Sequence, residues 1–145
     1  MGQSGGRAVT AGTSLILDSH AFIWYVLASP RLSDKARQIM DDATRSDIPL
    51  VISAATLVEL AYLVEKGTFM RTHLEAFHEV VDATGSGFEV AAIDNAVARA
   101  VSRIPRTAVT DPFDRIIAAT ALVRAARLVT YDRKIRQLAA VETIW

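Results

Sequence analysis

Four carboxylates in this chain stand where an apolar run gives way to a helical pattern, or inside such a pattern: Asp18, Glu59, Asp114 and Asp132. Asp18 closes the run Ser14 to Leu17 (SLIL), and Asp132 follows Leu128 to Tyr131 (LVTY). Asp114 comes three residues after Asp111-Pro112, where proline suits the first position of a helix. Glu59 lies in ATLVELAYLVEK, whose Leu57, Leu60, Ala61 and Val64 form one apolar stripe, broadened by Val58, Tyr62 and Leu63. A glutamate in such a helix needs a cation, a basic partner or a wet cleft, because an unpaired buried charge is costly.

Two readings are open at each position. Asp18 and Asp132 have the residue type of helix N-caps, and Glu59 fits an ordinary salt bridge. Asp111 reads as a cap, with Asp114 as the acid that follows it in the first turn. Small residues at Ala118, Ala121 and Ala125 let that helix approach the sheet and turn Asp114 inward. Asp94 also follows a strand-like run, but the cap suffices there and it stays outside the site.

If the four converge, their chemistry is constrained. Two unit charges about 4 Å apart repel by on the order of 4 kcal/mol at an effective dielectric near 20. Without a counter-charge some carboxyls must keep their protons. A hard divalent cation removes the conflict, and oxygen donors favour Mg2+ or Mn2+. The chain has no cysteine, and His73 and His78 are five apart, off the helical spacing that shares a face, so zinc is not expected. An acid-bound Mg2+ that keeps several waters suits phosphoryl chemistry.

The elements that must position these acids alternate. Strands are expected at 14–17, 49–53, 88–93 and 128–131, with a fifth at 141–145. Helices are expected over 20–27, 34–43, 54–66, 71–83, 95–104 and 112–126, with a short one after Asp132. The pattern predicts an α/β domain over 14–145: a parallel sheet of four to five strands with helices on both faces. Ligands of such sheets bind beyond the carboxyl ends of the strands, where three of the acids fall and Glu59 follows within two turns. The first thirteen residues, MGQSGGRAVTAGT, lack the apolar segment of a signal peptide and read as a flexible tail.

Composition narrows the class. Hydrophobic residues make up 51% and charged residues 22%, which suits a folded globular chain. The formal net charge is zero, against a general nucleic-acid coat protein. The charge is uneven: Ala96 to Trp145 holds nine basic and four acidic residues, and the part before it seven and twelve. A basic half can attract a polyanion locally, although scattered surface charge explains the same count. No run is long and apolar enough to span a membrane, and the absence of cysteine fits a reducing cytoplasm.

Four segments together resemble the PIN-domain ribonucleases, specifically VapC-type toxins of type II toxin–antitoxin pairs: LILDSHAFIW (Leu15 to Trp24), ISAATLVELA (Ile52 to Ala61), DPFDRIIAATA (Asp111 to Ala121) and LVTYDRKI (Leu128 to Ile135). The resemblance implies an Mg2+- or Mn2+-dependent endoribonuclease whose metal-binding acids are Asp18, Glu59, Asp114 and Asp132, the last at the family's most variable position. It implies that Thr130 helps position the metal or its water, and that Asp111 and Arg115 support the site, Arg115 by orienting a carboxylate or touching phosphate. It also implies an RNA substrate, a homodimer and a cognate VapB-like antitoxin.

Two rivals remain at this point. A phosphohydrolase using Asp18 as nucleophile would want Asp-x-Asp after the first strand, where this chain has Asp18-Ser19-His20; LVTYDRK also poorly matches a phospho-receiver domain. A non-catalytic module of the same fold would have no need of all four acids. Neither a P-loop nor a dinucleotide-binding glycine motif occurs.

Overall fold

Short apolar runs, buried at every residue in the first two strands, build the sheet in the computed structural model, which describes residues 14–145. The strands are β1 (Leu15–Leu17), β2 (Leu50–Ser53), β3 (Phe88–Ala91), β4 (Arg127–Val129) and β5 (Thr143–Ile144). They form one sheet in the order β3-β2-β1-β4-β5, with every neighbouring pair parallel. The helices are α1 (Ser19–Val26), α2 (Asp34–Arg45), α3 (Ala54–Glu65), α4 (Arg71–Asp82), α5 (Asn95–Val101), α6 (Pro112–Arg124) and α7 (Arg133–Arg136). The tail expected over the first thirteen residues lies outside the described residues.

The period of two along each strand divides the core into two layers. Leu15, Leu17, Leu50, Ile52 and Val129 face one side, where Phe22 of α1, Met40 of α2, Leu60 of α3 and Phe77 of α4 cover them. Ile16, Val51 and Leu128 face the other, under Val97 and Ala100 of α5, Ile117, Ala118 and Ala121 of α6, and Ile135 of α7. Both faces of β1 are therefore buried, which is why its sequence is an uninterrupted apolar run.

The strand order fixes where the site falls. From β1 the chain winds outward through β2 to β3, then returns across the sheet to place β4 on the other side of β1 and β5 beyond it. The winding reverses between β1 and β4. Loops leaving their carboxyl ends diverge there and open a crevice, and Asp18 and Asp132 follow those two ends.

Several expected boundaries shift. β3 stops at Ala91 rather than Ile93, because its last pairing is Ser53 with Ala91 and β2 offers nothing further. Helix α5 stops at Val101 rather than Ile104, since the approach to Pro105 disfavours helical geometry. Helix α6 ends one residue before Ala125, which takes a left-handed conformation with φ of 50°. Ala125 is exposed and off the packed face, so only Ala118 and Ala121 of the expected small-residue stripe are buried.

Two stability changes follow. Replacing Ile16, fully buried in the middle strand, with Ala is expected to cost about 2–5 kcal/mol in urea unfolding. Ala125→Gly should stabilise by roughly 0.5–1 kcal/mol, because the left-handed strain that glycine relieves outweighs the greater freedom it gives the unfolded chain. A destabilised Ala125→Gly would contradict the assigned cap.

Candidate active site

Asp18 leaves β1 with its backbone N–H bound to the Val129 carbonyl at 3.1 Å, so the two central strands run together up to the acid. Its side chain caps α1: Oδ1 accepts the Ala21 N–H at 2.7 Å. Only 4% of the residue is exposed. Burial pushes its carboxyl above the ordinary range, while hydrogen bonds from the Thr130 hydroxyl and the Ala21 N–H, with His20 nearby, pull it down, and Asp132 pushes it up.

Thr130 joins the two sides of the crevice. Its hydroxyl donates to Asp18, and its oxygen accepts the Asp132 N–H at 3.0 Å. Asp132 in turn caps α7, with Oδ1 accepting from the Lys134 N–H at 2.7 Å. The cap reading and the site reading of Asp18 and Asp132 are thus compatible, because in each the hydrogen bonds to the helix fall on Oδ1. Asp94 caps α5 through the Val97 N–H, as expected of a purely structural residue.

Glu59 is held by a serine that the sequence did not single out. The Ser19 hydroxyl donates to Glu59 Oε1 at 2.6 Å and stands 3.1 Å from Thr56 Oγ1. A hydroxyl has one proton to give, so with Ser19 donating to Glu59 the Thr56 hydroxyl donates to Ser19. Both hydroxyl residues are buried. The signal available was modest: Ser19 follows Asp18 directly, and Thr56 lies three residues before Glu59 on the same helical face.

Asp114 closes the group from the first turn of α6, a helix packed against β1, β2 and β4. Its carboxyl is pushed up to about 7, first by burial, then by the charges of Asp111, Asp132, Glu59 and Asp18. One half-buried acid thus feels all the other candidates. Asp111 is exposed and caps α6 by accepting the Asp114 N–H at 3.0 Å, so it steadies the turn that carries Asp114.

Arg115 departs from its expected role. Its guanidinium donates to the carbonyls of Val101 and Ile104 at 3.1 and 3.0 Å, and among the described residues it makes no ion pair. It ties α6 to the end of α5 and, among those residues, donates to no carboxylate. His73 accepts the Met70 N–H at the start of α4, a structural use of that ring.

The donor set fits a hard divalent cation, since it is made of carboxylate oxygens steadied by hydroxyls. Among the described residues no three His, Cys, Asp or Glu side chains form a ready-made metal cage.

A parallel α/β sheet with acids gathered at its winding reversal defines a class of crevice proteins into which this chain falls. A PIN domain family model matches residues 15–141, and the chain belongs to the PIN-domain family, of the VapC type. It is 33% identical over 129 residues to Ribonuclease VapC22 of Mycobacterium tuberculosis, covering 86% of this chain and 91% of that protein. Its fold is similar to that of VapBC2 from Rickettsia felis bound to a promoter DNA fragment, with a TM-score of 0.67 and 17% identity over 90% of this chain and 96% of that one. DNA-bound VapBC from Salmonella typhimurium gives 0.64 and 23%, again over 90% and 96%.

The raised Asp114 carboxyl has a consequence for stability. Between its ordinary value of 3.8 and about 7, the folded chain keeps a proton that the unfolded chain has released. Its contribution is therefore complete at low pH and is lost as pH rises through about 7. In chelator, the melting temperature of the wild type relative to Asp114→Asn should fall across that window. A constant difference from pH 4 to pH 8 would contradict the buried, acid-lined setting of Asp114.

Proposed function

We propose that this chain is a divalent-metal-dependent endoribonuclease, a toxin restrained by a cognate VapB-like antitoxin. The observation that supports this most is the carboxyl of Asp114, pushed up to about 7 first by burial and then by the charges of Asp111, Asp132, Glu59 and Asp18. Kinship with a curated ribonuclease across most of both chains supports the same reading. The rival phosphohydrolase would want a second acid two residues after Asp18, where this chain has His20.

Asp18, Glu59 and Asp114 would hold Mg2+ or Mn2+, directly or through water, with Asp132 completing the set. Such an ion, when bound, lowers the pKa of a water and offsets charge building on the phosphodiester and its leaving oxygen. The chain's own groups do the positioning. Ser19 fixes the Glu59 carboxylate, Thr130 fixes Asp18 and the backbone of Asp132, and Asp111 fixes the turn under Asp114. Arg133 and Arg136 of α7, which line a cavity of about 550 Å³ with Gln137 and Thr143, are suited to hold flanking phosphates of the RNA. Hydrolysis in this mode leaves a 5′-phosphate and a 3′-hydroxyl.

Exposed Val58 and Tyr62 on α3, with the Tyr62 ring 5.7 Å from Phe113, give an apolar face suited to a homodimer. A cytoplasmic setting agrees with the lack of cysteine, and among the described residues no helix is long and apolar enough to cross a membrane.

Replacing Asp114 with Asn should lower Mg2+-dependent cleavage of RNA by at least about a hundredfold and relieve growth arrest on expression, since loss of mere supporting groups around a metal already costs about 10–100-fold. Ser19→Ala, which frees Glu59 but keeps every acid, should cost about tenfold. Undiminished cleavage by folded Asp114→Asn would end the reading.

A further inference from the structure

Beside the acids lies a cleft that the proposed chemistry does not use. It has a volume of about 400 Å³ and is lined by His20, Trp24, Arg31 and Tyr131. Its size falls within the roughly 300–1,000 Å³ of small-molecule pockets. Two of its walls are chain neighbours of the site: Tyr131 stands between Thr130 and Asp132, and His20 lies close enough to Asp18 to lower its carboxyl.

The lining is aromatic and cationic. The Trp24 ring packs at 5.2 Å from His20 and 5.8 Å from Tyr131, and the Arg31 guanidinium stands 5.9 Å over it. Trp145 supports the cluster from behind, 5.9 Å from Trp24 and 5.6 Å from Tyr131. Packing alone leaves one feature unexplained: Tyr131 is 58% exposed, although its ring is part of an aromatic cluster. Rings open to solvent on one side, beside a guanidinium and at the edge of a crevice, match what unpaired bases need. Every base has a π-face for an aromatic ring, and arginine adds a cation–π contact and charge for the adjoining phosphate.

We infer that the cleft of His20, Trp24, Arg31 and Tyr131 is a stacking subsite for one unpaired base of an RNA strand whose backbone crosses the acidic crevice. This rests on the nuclease reading for the identity of the strand. The subsite selects single-stranded or looped RNA, because a base held in a duplex cannot enter. It also sets the register of the strand, fixing which phosphate reaches the acids.

The molecule carries its own reporter, since Trp24 and Trp145 are its two tryptophans and both belong to the cluster. A short single-stranded RNA, titrated into the full chain with Ca2+ replacing Mg2+, should quench tryptophan fluorescence saturably. A base-free strand of equal charge should not. Tyr131→Ala should weaken binding by about 5–150-fold, the equivalent of the roughly 1–3 kcal/mol of one stacked base, and Tyr131→Phe should restore it. In Mg2+, Tyr131→Ala should raise KM far more than it lowers kcat. Equal quenching by the base-free strand, or equal binding by Tyr131→Ala, would overturn the inference and leave the cleft to a protein partner. If the nuclease reading alone fails, cleavage is absent while base-dependent quenching persists. If the subsite alone fails, cleavage persists while Tyr131→Ala behaves as wild type.

Discussion

Repulsion among carboxylates is the constraint around which this molecule is arranged. Four acids distant in the chain are brought to the carboxyl ends of a parallel sheet, where burial, reinforced by the charges of its neighbours, raises the Asp114 carboxyl to about 7. Nothing in the acids themselves favours such company. The sheet imposes it: β1 and β4 are buried on both faces and paired along their length, so the residues that follow them cannot move apart without opening the core. Helix starts help locally. Asp18, Asp111 and Asp132 each stand at a helix N-terminus, where backbone N–H groups and the helix dipole favour negative charge.

A frame of hydroxyls turns that tolerance into geometry. Ser19, Thr56 and Thr130 are buried, and each hydrogen bond they make reaches an acid or another member of the frame. The Asp18 N–H to Val129 carbonyl bond links the two strands at the winding reversal, Thr130 holds the backbone of Asp132 beside it, and Ser19 links α1 to Glu59 on α3. Around this frame the surroundings differ in character. The side of α7 is basic, with Arg133, Lys134 and Arg136, and the side of α1 is aromatic. On the proposed reading, a strand of RNA would meet charge complementarity on one flank and stacking on the other.

Much of this was legible from residue types and spacing. Buried strands announce themselves as unbroken apolar runs, and Glu59 stood out because its helix is apolar nearly all round. What was not legible has physical reasons. The end of β3 depends on how far β2 extends to pair with it, which the alternation FEVAAI does not encode. The direction of Arg115 depends on carbonyls left open at the end of α5, and these exist only once the fold has formed. The caps are legible as caps, but in sequence alone cap and site stand as alternatives at Asp18 and Asp132. A carboxylate has two oxygens, and the second role needs only the one the helix does not take.

The central claim is that the crevice between Asp18, Glu59, Asp114 and Asp132 exists to hold a divalent cation. Anomalous scattering from crystals soaked in Mn2+ tests it most directly. The expected result is a single dominant peak, or a close pair, within the crevice and bounded by these four carboxylates, abolished in Asp114→Asn crystals. Manganese bound elsewhere, with no peak among the four acids at saturating concentration, would contradict it.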